Sequence, residues 1–266
     1  MDFTKLFSLE GRVAVVTGGS RGIGEMIAEG FIAAGCARVY ITARKAAVVE
    51  ETAARLGVRC IALPGDISTV AGCEALAAEL AAREPHIDIL VNNAGAAWGA
   101  DFDVFPEAGW DKVMSLNVKT PFFLTQKLHP LLKAGAATRP AKVINIASID
   151  GLRLNPWETY SYQASKAAVI HLTKRMAARL IKDNIVASCI CPGAFPSEMN
   201  KAAALNPEAS AKGIPSRRVG SIEDMAGGAI YLASRAGDYV VGTALPIDGG
   251  IVNAAIPEDY VDPSGH

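Results

Sequence analysis

Short, nearly uninterrupted apolar runs alternate along this chain with longer stretches in which apolar residues recur every three or four positions. The runs fall at 13–17, 38–42, 58–63, 87–91, 142–147, 185–190 and 243–247, and consist mostly of Val, Ile, Leu and Ala. A strand with one wet face alternates apolar and polar residues, whereas one covered on both faces reads continuously. The runs therefore predict about seven strands of a parallel sheet. The helical patterns at 22–34, 45–56, 69–83, 107–133, 159–182 and 221–234 supply the crossovers that parallel pairing needs. Pro121 and Pro130 predict a kink or division in the fourth helix. Gly35 and Gly57 stand where helix C-terminal glycines belong. With no Pro/Gly/Ser-rich linker, residues 1–266 read as a single α/β domain, a doubly wound (Rossmann-like) sheet with helices on both faces. Residues 195–218 are strand-free and contain Pro196, Pro207 and Pro215, and a connection of that length is expected to act as a substrate lid.

Charge and composition narrow the function. The net charge of −1 argues against a nucleic-acid or anionic-membrane partner. No apolar run approaches the roughly 20 residues of a membrane span. Met1-Asp2-Phe3-Thr4-Lys5 lacks the basic-then-apolar layout of a signal peptide, so a cytoplasmic location is expected. Cys36, Cys60, Cys73, Cys189 and Cys191 are odd in number and scattered, which implies no disulfide framework. Cys189-x-Cys191 lacks a second ligand pair at zinc spacing, so it reads as strand core and no metal is expected. His86, His129 and His171 read as packing or surface residues.

The candidate chemistry lies in Tyr162-Gln163-Ala164-Ser165-Lys166, downstream of Ser148 at the end of the fifth run. Residues four apart share a helical face, so Tyr162 and Lys166 project together. A phenol ionises near pH ~10, and a neighbouring ammonium is expected to lower that value and make Tyr162 a general acid/base. Ser148 would add a hydroxyl to hold a substrate oxygen. After the first strand comes Thr17-Gly18-Gly19-Ser20-Arg21-Gly22-Ile23-Gly24, spaced G-x-x-x-G-x-G. Such glycines let backbone amides approach a pyrophosphate at the N-terminus of the following helix. The glycine turn, Arg44, Asp66, Asn93, Ser148 and Pro192 follow successive predicted strands, on the rim where doubly wound sheets bind ligands.

From about Leu9 to Gly250 the chain resembles the short-chain dehydrogenase/reductase family. The resemblance rests on Thr17 to Gly24, Asn92-Asn93-Ala94-Gly95, Asn117, Ser148, Tyr162-x-x-x-Lys166 and Pro192-Gly193, in that order. It implies a proton relay of Asn117, Ser148, Tyr162 and Lys166, with Lys166 also bonding the nicotinamide ribose. It further implies dinucleotide contacts from Gly18, Ser20, Arg21, Gly22, Ile23, Gly24, Asp66, Ile67, Asn93, Ala94, Gly95, Pro192, Gly193, Phe195 and Ser197. Ser197 stands where the family usually has threonine. Folds that prefer NAD place an acid about 20 residues past the glycine turn, and here Arg44 stands instead, with Arg21 nearby. A guanidinium fork suits a 2′-phosphate, so NADP(H) is the expected cofactor.

Pro192 to Ser197, Ala97-Trp98-Gly99-Ala100 and Gly109 to Met114 are similar to β-ketoacyl reductases of the rhamnolipid-pathway type. The resemblance implies reduction of a 3-oxoacyl or similar ketone. Trp98, Trp157, Phe195 and Met199 are candidates for the pocket wall. Oxidation of a secondary alcohol, sugar alcohol or steroid by the same groups is the alternative, and a non-catalytic dinucleotide-binding module is a third reading. Family members commonly pair through their long helices, so a homotetramer or homodimer is expected.

Overall fold

The computed structural model describes residues 2–197 and 200–255. Met199 and the tail 257–266, expected as a loose end or interface arm, lie outside the described residues. Seven parallel strands form one sheet: β1 Val13–Thr17, β2 Arg38–Thr42, β3 Cys60–Ala62, β4 Ile89–Asn92, β5 Ala141–Ile146, β6 Ile185–Pro192 and β7 Ala244–Ile247. Their order is β3-β2-β1-β4-β5-β6-β7. The direction of winding therefore reverses between β1 and β4, which opens a crevice at their carboxyl ends.

The continuous apolar runs have a direct cause. Ala14 and Val16 of β1 face one apolar layer, built with Ile27 and Phe31 of α2 (Gly22–Ala33) and Val49 of α3 (Ala46–Leu56). Val13 and Val15 face the other, built with Leu80 of α4 (Val70–Arg83), Leu124 of a later helix and Met176. Both faces of the sheet are thus buried.

Three departures from the sequence reading have physical reasons. The third strand shrinks from 58–63 to Cys60–Ala62, because it lies at the sheet edge and Val58 is 100% exposed. The helix expected at 107–133 is α5 (Glu107–Met114), a π-helical turn at Ser115–Lys119 and α6 (Thr120–Gly135). Pro121 sits in the first turn of α6, where its missing N–H is not needed, and Pro130 lies inside that helix without ending it. The π turn widens the helix at Asn117, as such turns often do at working positions. A short N-terminal helix, α1 (Phe3–Phe7), is too brief to show periodicity and depends on the Asp2 cap.

The remaining helices are α7 (Tyr160–Leu180), α8 (Lys201–Leu205), α9 (Pro207–Lys212) and α10 (Ile222–Ala233). The 195–218 connection contains α8 and α9, the latter capped by Asn206 accepting from the Ala209 N–H at 3.1 Å. Its Ile214 packs on Ile149 and Ile251, which ties the segment to the turn that follows β5. Among the described residues no helix is long and apolar enough to cross a membrane.

Candidate active site

The glycine turn is held from below by side chains. Asn93 donates from Nδ2 to the carbonyls of Thr17 (2.8 Å) and Gly18 (3.1 Å). The Thr17 hydroxyl accepts from the N–H groups of Asn93 and Ala94, both at 2.9 Å. Gly18 has φ +64°, and a Cβ there would lie 2.9 Å from Asn93 Nδ2. A Cβ on Gly24 would lie 2.3 Å from the Gly18 carbonyl oxygen. Gly22, at φ +55°, lets the Ser197 segment approach, since a Cβ there would meet Ser197 Cβ at 3.1 Å. Arg21 is the N-cap of α2 and makes no side-chain cap, so among the described residues the amides of Gly22, Ile23 and Gly24 have no side-chain acceptor. With the helix dipole behind them they suit an anion, and the residues present fit a dinucleotide pyrophosphate. Ser20 is buried, with its carbonyl accepting from the Thr52 hydroxyl at 2.9 Å. Gly24→Ala is expected to lower stability by about 1–3 kcal/mol through overpacking and to weaken dinucleotide binding, readable by thermal melts with and without NADPH.

Along the rim, Arg44 is exposed just past β2. Asp66 lies past β3, with its carboxyl held below the usual range by the Ser68 hydrogen bonds and, less strongly, by the Arg44 charge. Thr69, not Asp66, caps α4 through the Gly72 N–H. Two candidate contacts are changed by packing. The Ile67 side chain is buried in the layer shared with α4, and the Phe195 ring is buried against Gly220. Any contact with a ligand at either position would therefore fall to the backbone. Pro192 ends β6, Gly193 N–H donates to the Ile247 carbonyl at 2.9 Å, and the Ser197 hydroxyl accepts from the Asn200 N–H at 3.1 Å. Gly95 has no side chain where one would meet Asn117 Oδ1 at 3.2 Å and Lys166 Nζ at 3.8 Å. Gly95 thus leaves space beside these two candidate polar groups.

Tyr162 and Lys166 share one face of α7, with the ammonium 5.4 Å from the phenol ring centroid. Lys166 is 6% exposed and donates to the Ile146 carbonyl at 2.9 Å. Burial depresses its pKa to about 8. The expected depression of the phenol is corrected: burial pushes Tyr162 up to about 12, a hydrogen bond with Ser148 pulls it down, and Asp150 pushes it up. Desolvation of the phenolate is the largest of these effects, and the Lys166 ammonium donates to a carbonyl and not to the phenol oxygen. Above pH 8 the native lysine sheds its proton before the unfolded chain does, so stability rises between about 8 and the ordinary value of 10.5. Lys166→Met should accordingly raise Tm at pH 7, with the gain shrinking from pH 8 upward. An unchanged difference across that range would contradict the buried-ammonium assignment.

Asn117 is buried in the π turn, its Oδ1 accepting from the Ala96 N–H (2.8 Å) and its Nδ2 donating to the Ala96 carbonyl (2.9 Å) and Ser165 Oγ (2.9 Å). Ser165 in turn donates to the Tyr162 carbonyl at 2.7 Å. The sequence reading missed Ser165, whose small hydroxyl between Tyr162 and Lys166 was the available signal. It also missed the buried ladder Thr125–Asn92–Asn145–Thr173, in which Asn92 donates to Asn145 at 2.8 Å and Asn145 to Thr173 at 2.8 Å. Facing asparagines on adjacent strands β4 and β5 were legible only once the register was known.

Trp98 lies across α5: a Cβ on Gly109 would meet its ring at 2.7 Å, and Lys112 Nζ stands 5.3 Å from its centroid. Trp157 is 68% exposed on the loop before α7. Phe102, Val104, Leu152 and Leu154 are also exposed, and Phe102 contacts Tyr160 edge-on at 5.6 Å. The five cysteines are free and buried, with Cys189 and Cys191 beneath Ala147 and Val169. Among the described residues no group of His, Cys, Asp and Glu is placed to hold a metal ion.

Comparison with known proteins agrees with this geometry. The family described as enoyl-(acyl carrier protein) reductase matches residues 18–252. The rhamnolipids biosynthesis 3-oxoacyl-[acyl-carrier-protein] reductase of Pseudomonas aeruginosa is 48% identical over 92% of this chain and 97% of its own. The 2-dehydro-3-deoxy-D-gluconate 5-dehydrogenase of Escherichia coli is 38% identical over 92% of this chain and 96% of its own. Among solved structures, the Pseudomonas aeruginosa RhlG/NADP active-site complex superposes with a TM-score of 0.89 at 46% identity, covering 93% of this chain and 99% of that one. A gluconate 5-dehydrogenase from Burkholderia cenocepacia, in complex with NADP and tartrate, gives 0.86 at 34% identity, covering 96% and 100%. On this similarity over nearly its whole length, the chain belongs to the short-chain dehydrogenase/reductase family of oxidoreductases.

Proposed function

We propose that this protein reduces a ketone, foremost a 3-oxoacyl thioester, to a secondary alcohol with NADP(H). The observation that carries the reading is the meeting of a Ser148 hydroxyl, the Tyr162 phenol and a buried Lys166 ammonium beside a glycine turn with uncapped amides. The bound nicotinamide supplies the hydride. Ser148 and Tyr162 hydrogen-bond the substrate oxygen, and Tyr162 gives it a proton as negative charge develops there. A phenol that resists ionisation arrives protonated at neutral pH, which suits the reductive direction. Lys166 supplies positive charge behind the phenol, and Asn117 holds Ala96 and, through Ser165, the first turn of α7. Arg44, with Arg21 beside the turn, would take the 2′-phosphate through charge-assisted hydrogen bonds.

Exposed apolar side chains at Phe102, Val104, Leu154 and Trp157 support an apolar chain on the substrate, with Trp98 bracing the same lip and 195–218 closing over it as a lid. The similarity to a 3-oxoacyl-[acyl-carrier-protein] reductase supports the same substrate class. A homotetramer or homodimer formed through α5, α6 and α7 and a reducing, cytoplasmic setting complete the reading, the latter supported by five free cysteines. Oxidation of a sugar acid or alcohol is the second reading, favoured by similarity to the gluconate dehydrogenases. NADPH consumption across 3-oxoacyl thioesters, diketones, aromatic ketones and keto sugars, set against NADP reduction with the matching alcohols, separates the two. Fastest turnover of thioesters is expected, and turnover confined to sugar acids would overturn the first reading.

A further inference from the structure

We propose that Asp150 is a specificity residue that turns anionic keto acids away and confines the site to ketones without a neighbouring negative charge. The inference rests on the carbonyl-reductase reading and deepens it. Asp150 is the middle residue of the short turn Ile149–Gly151 that follows β5. Its backbone N–H donates to Ser148 Oγ at 3.1 Å, so the turn that carries the carboxylate also orients the serine hydroxyl. The turn is fixed on two sides. A Cβ on Gly151 would lie 2.6 Å from the Lys166 backbone carbon and 2.8 Å from the Ala167 nitrogen, so the turn is pressed on α7 where Lys166 leaves it. Ile149 is buried against Ile214 and Ile251.

Asp150 itself is half-buried, and the hydrogen bond it makes to Ser148 uses its backbone rather than its carboxylate. The groups around the phenol are Ser148 and Asp150 from this turn and Lys166 from α7, with Cys189 and Cys191 of β6 behind Lys166. The carboxylate acts on both Tyr162 and Lys166, holding the protonated form of each. Because Asp150 stands two residues past Ser148, on a turn bonded to the Ser148 hydroxyl and pressed against α7 at Lys166, its negative charge lies beside the point where a substrate oxygen would meet Ser148 and Tyr162. A keto acid would bring a second carboxylate within a few bonds of that point, and like charges at such range in a partly desolvated site repel. A thioester or ester presents no charge there.

The test is a matched pair, ethyl 3-oxohexanoate and 3-oxohexanoate, which differ near the carbonyl by one charge. NADPH-dependent kcat/KM is measured for the full-length protein, Asp150→Asn and Asp150→Ser. The wild type should favour the ester by about 100-fold, and either variant should narrow that ratio by about 10-fold, mainly through faster use of the acid. The alkaline limb of ester reduction should move to lower pH in the variants, since loss of the carboxylate lowers the phenol pKa. Added salt should narrow the wild-type ratio without any substitution. A ratio that stays the same in folded, NADPH-binding variants and in high salt would overturn the assignment. Failure of the wild type to reduce either compound would sink the carbonyl-reductase reading and this inference with it.

Discussion

Tyr162→Phe is expected to lower kcat by about 10²–10⁴-fold while leaving NADPH affinity nearly unchanged. The substitution removes one oxygen and keeps the ring against Lys166, so the α7 packing and the Asn117–Ser165 link survive. What is lost is the proton donor and one of two hydrogen bonds to the developing oxyanion. Ser148 still orients the carbonyl, which is why some turnover should remain. Steady-state rates with a 3-oxoacyl thioester, alongside NADPH fluorescence titration, give both quantities. Turnover within a few-fold of the wild type would move the proton-transfer role away from Tyr162.

Arg44→Asp should shift the NADPH-to-NADH ratio of kcat/KM by about 10²–10⁴-fold toward NADH. A charge-assisted hydrogen bond to a phosphate contributes about 1.5–3 kcal/mol, and an opposed carboxylate adds a comparable repulsion. Each 1.4 kcal/mol or so is a factor of ten. Asp66 already lies close enough for Arg44 to influence its carboxyl, so replacing the arginine would leave two acids on that rim. Arg44 is exposed, so the fold should be unaffected and Tm should hold. An unchanged ratio would assign 2′-phosphate recognition elsewhere, with Arg21 the first alternative.

Much of the architecture was legible because burial on both faces leaves a plain signature. β1 and β2 lie where the apolar runs put them, at Val13–Thr17 and Arg38–Thr42. The edge strand was overextended, since Val58 is apolar yet exposed, and pattern alone does not reveal which strand has one neighbour. The division of the 107–133 helix was expected from its prolines, but its form, a π turn at Asn117, depends on tertiary packing around Ala96 and Ser165. Buried ion pairs were invisible for the same reason. Lys142 is the second residue of β5, is 1% exposed and pairs with Asp238 at 2.7 Å, while Arg12 pairs with Asp88 at 3.2 Å.

Within the site, the residue types were readable and their environments were not. Tyr162 and Lys166 at i, i+4 guarantee a shared face, but not where the ammonium points. It bonds the Ile146 carbonyl, and burial then raises the phenol instead of lowering it. Asn93 was read only as a cofactor contact, and its amide also ties β4 to the glycine turn, a structural role that spacing does not reveal. Phe195 was a candidate wall residue, and its ring is buried in the space that Gly220 leaves without a side chain.

The most direct test is a single turnover with the protein in excess over NADPH and a 3-oxoacyl thioester present, following nicotinamide fluorescence and the acyl product together. The account expects one 3-hydroxyacyl thioester formed per NADPH consumed in the wild type, and neither event at a comparable rate in Tyr162→Phe. NADPH bound but never oxidised, whichever ketone is supplied, would contradict it.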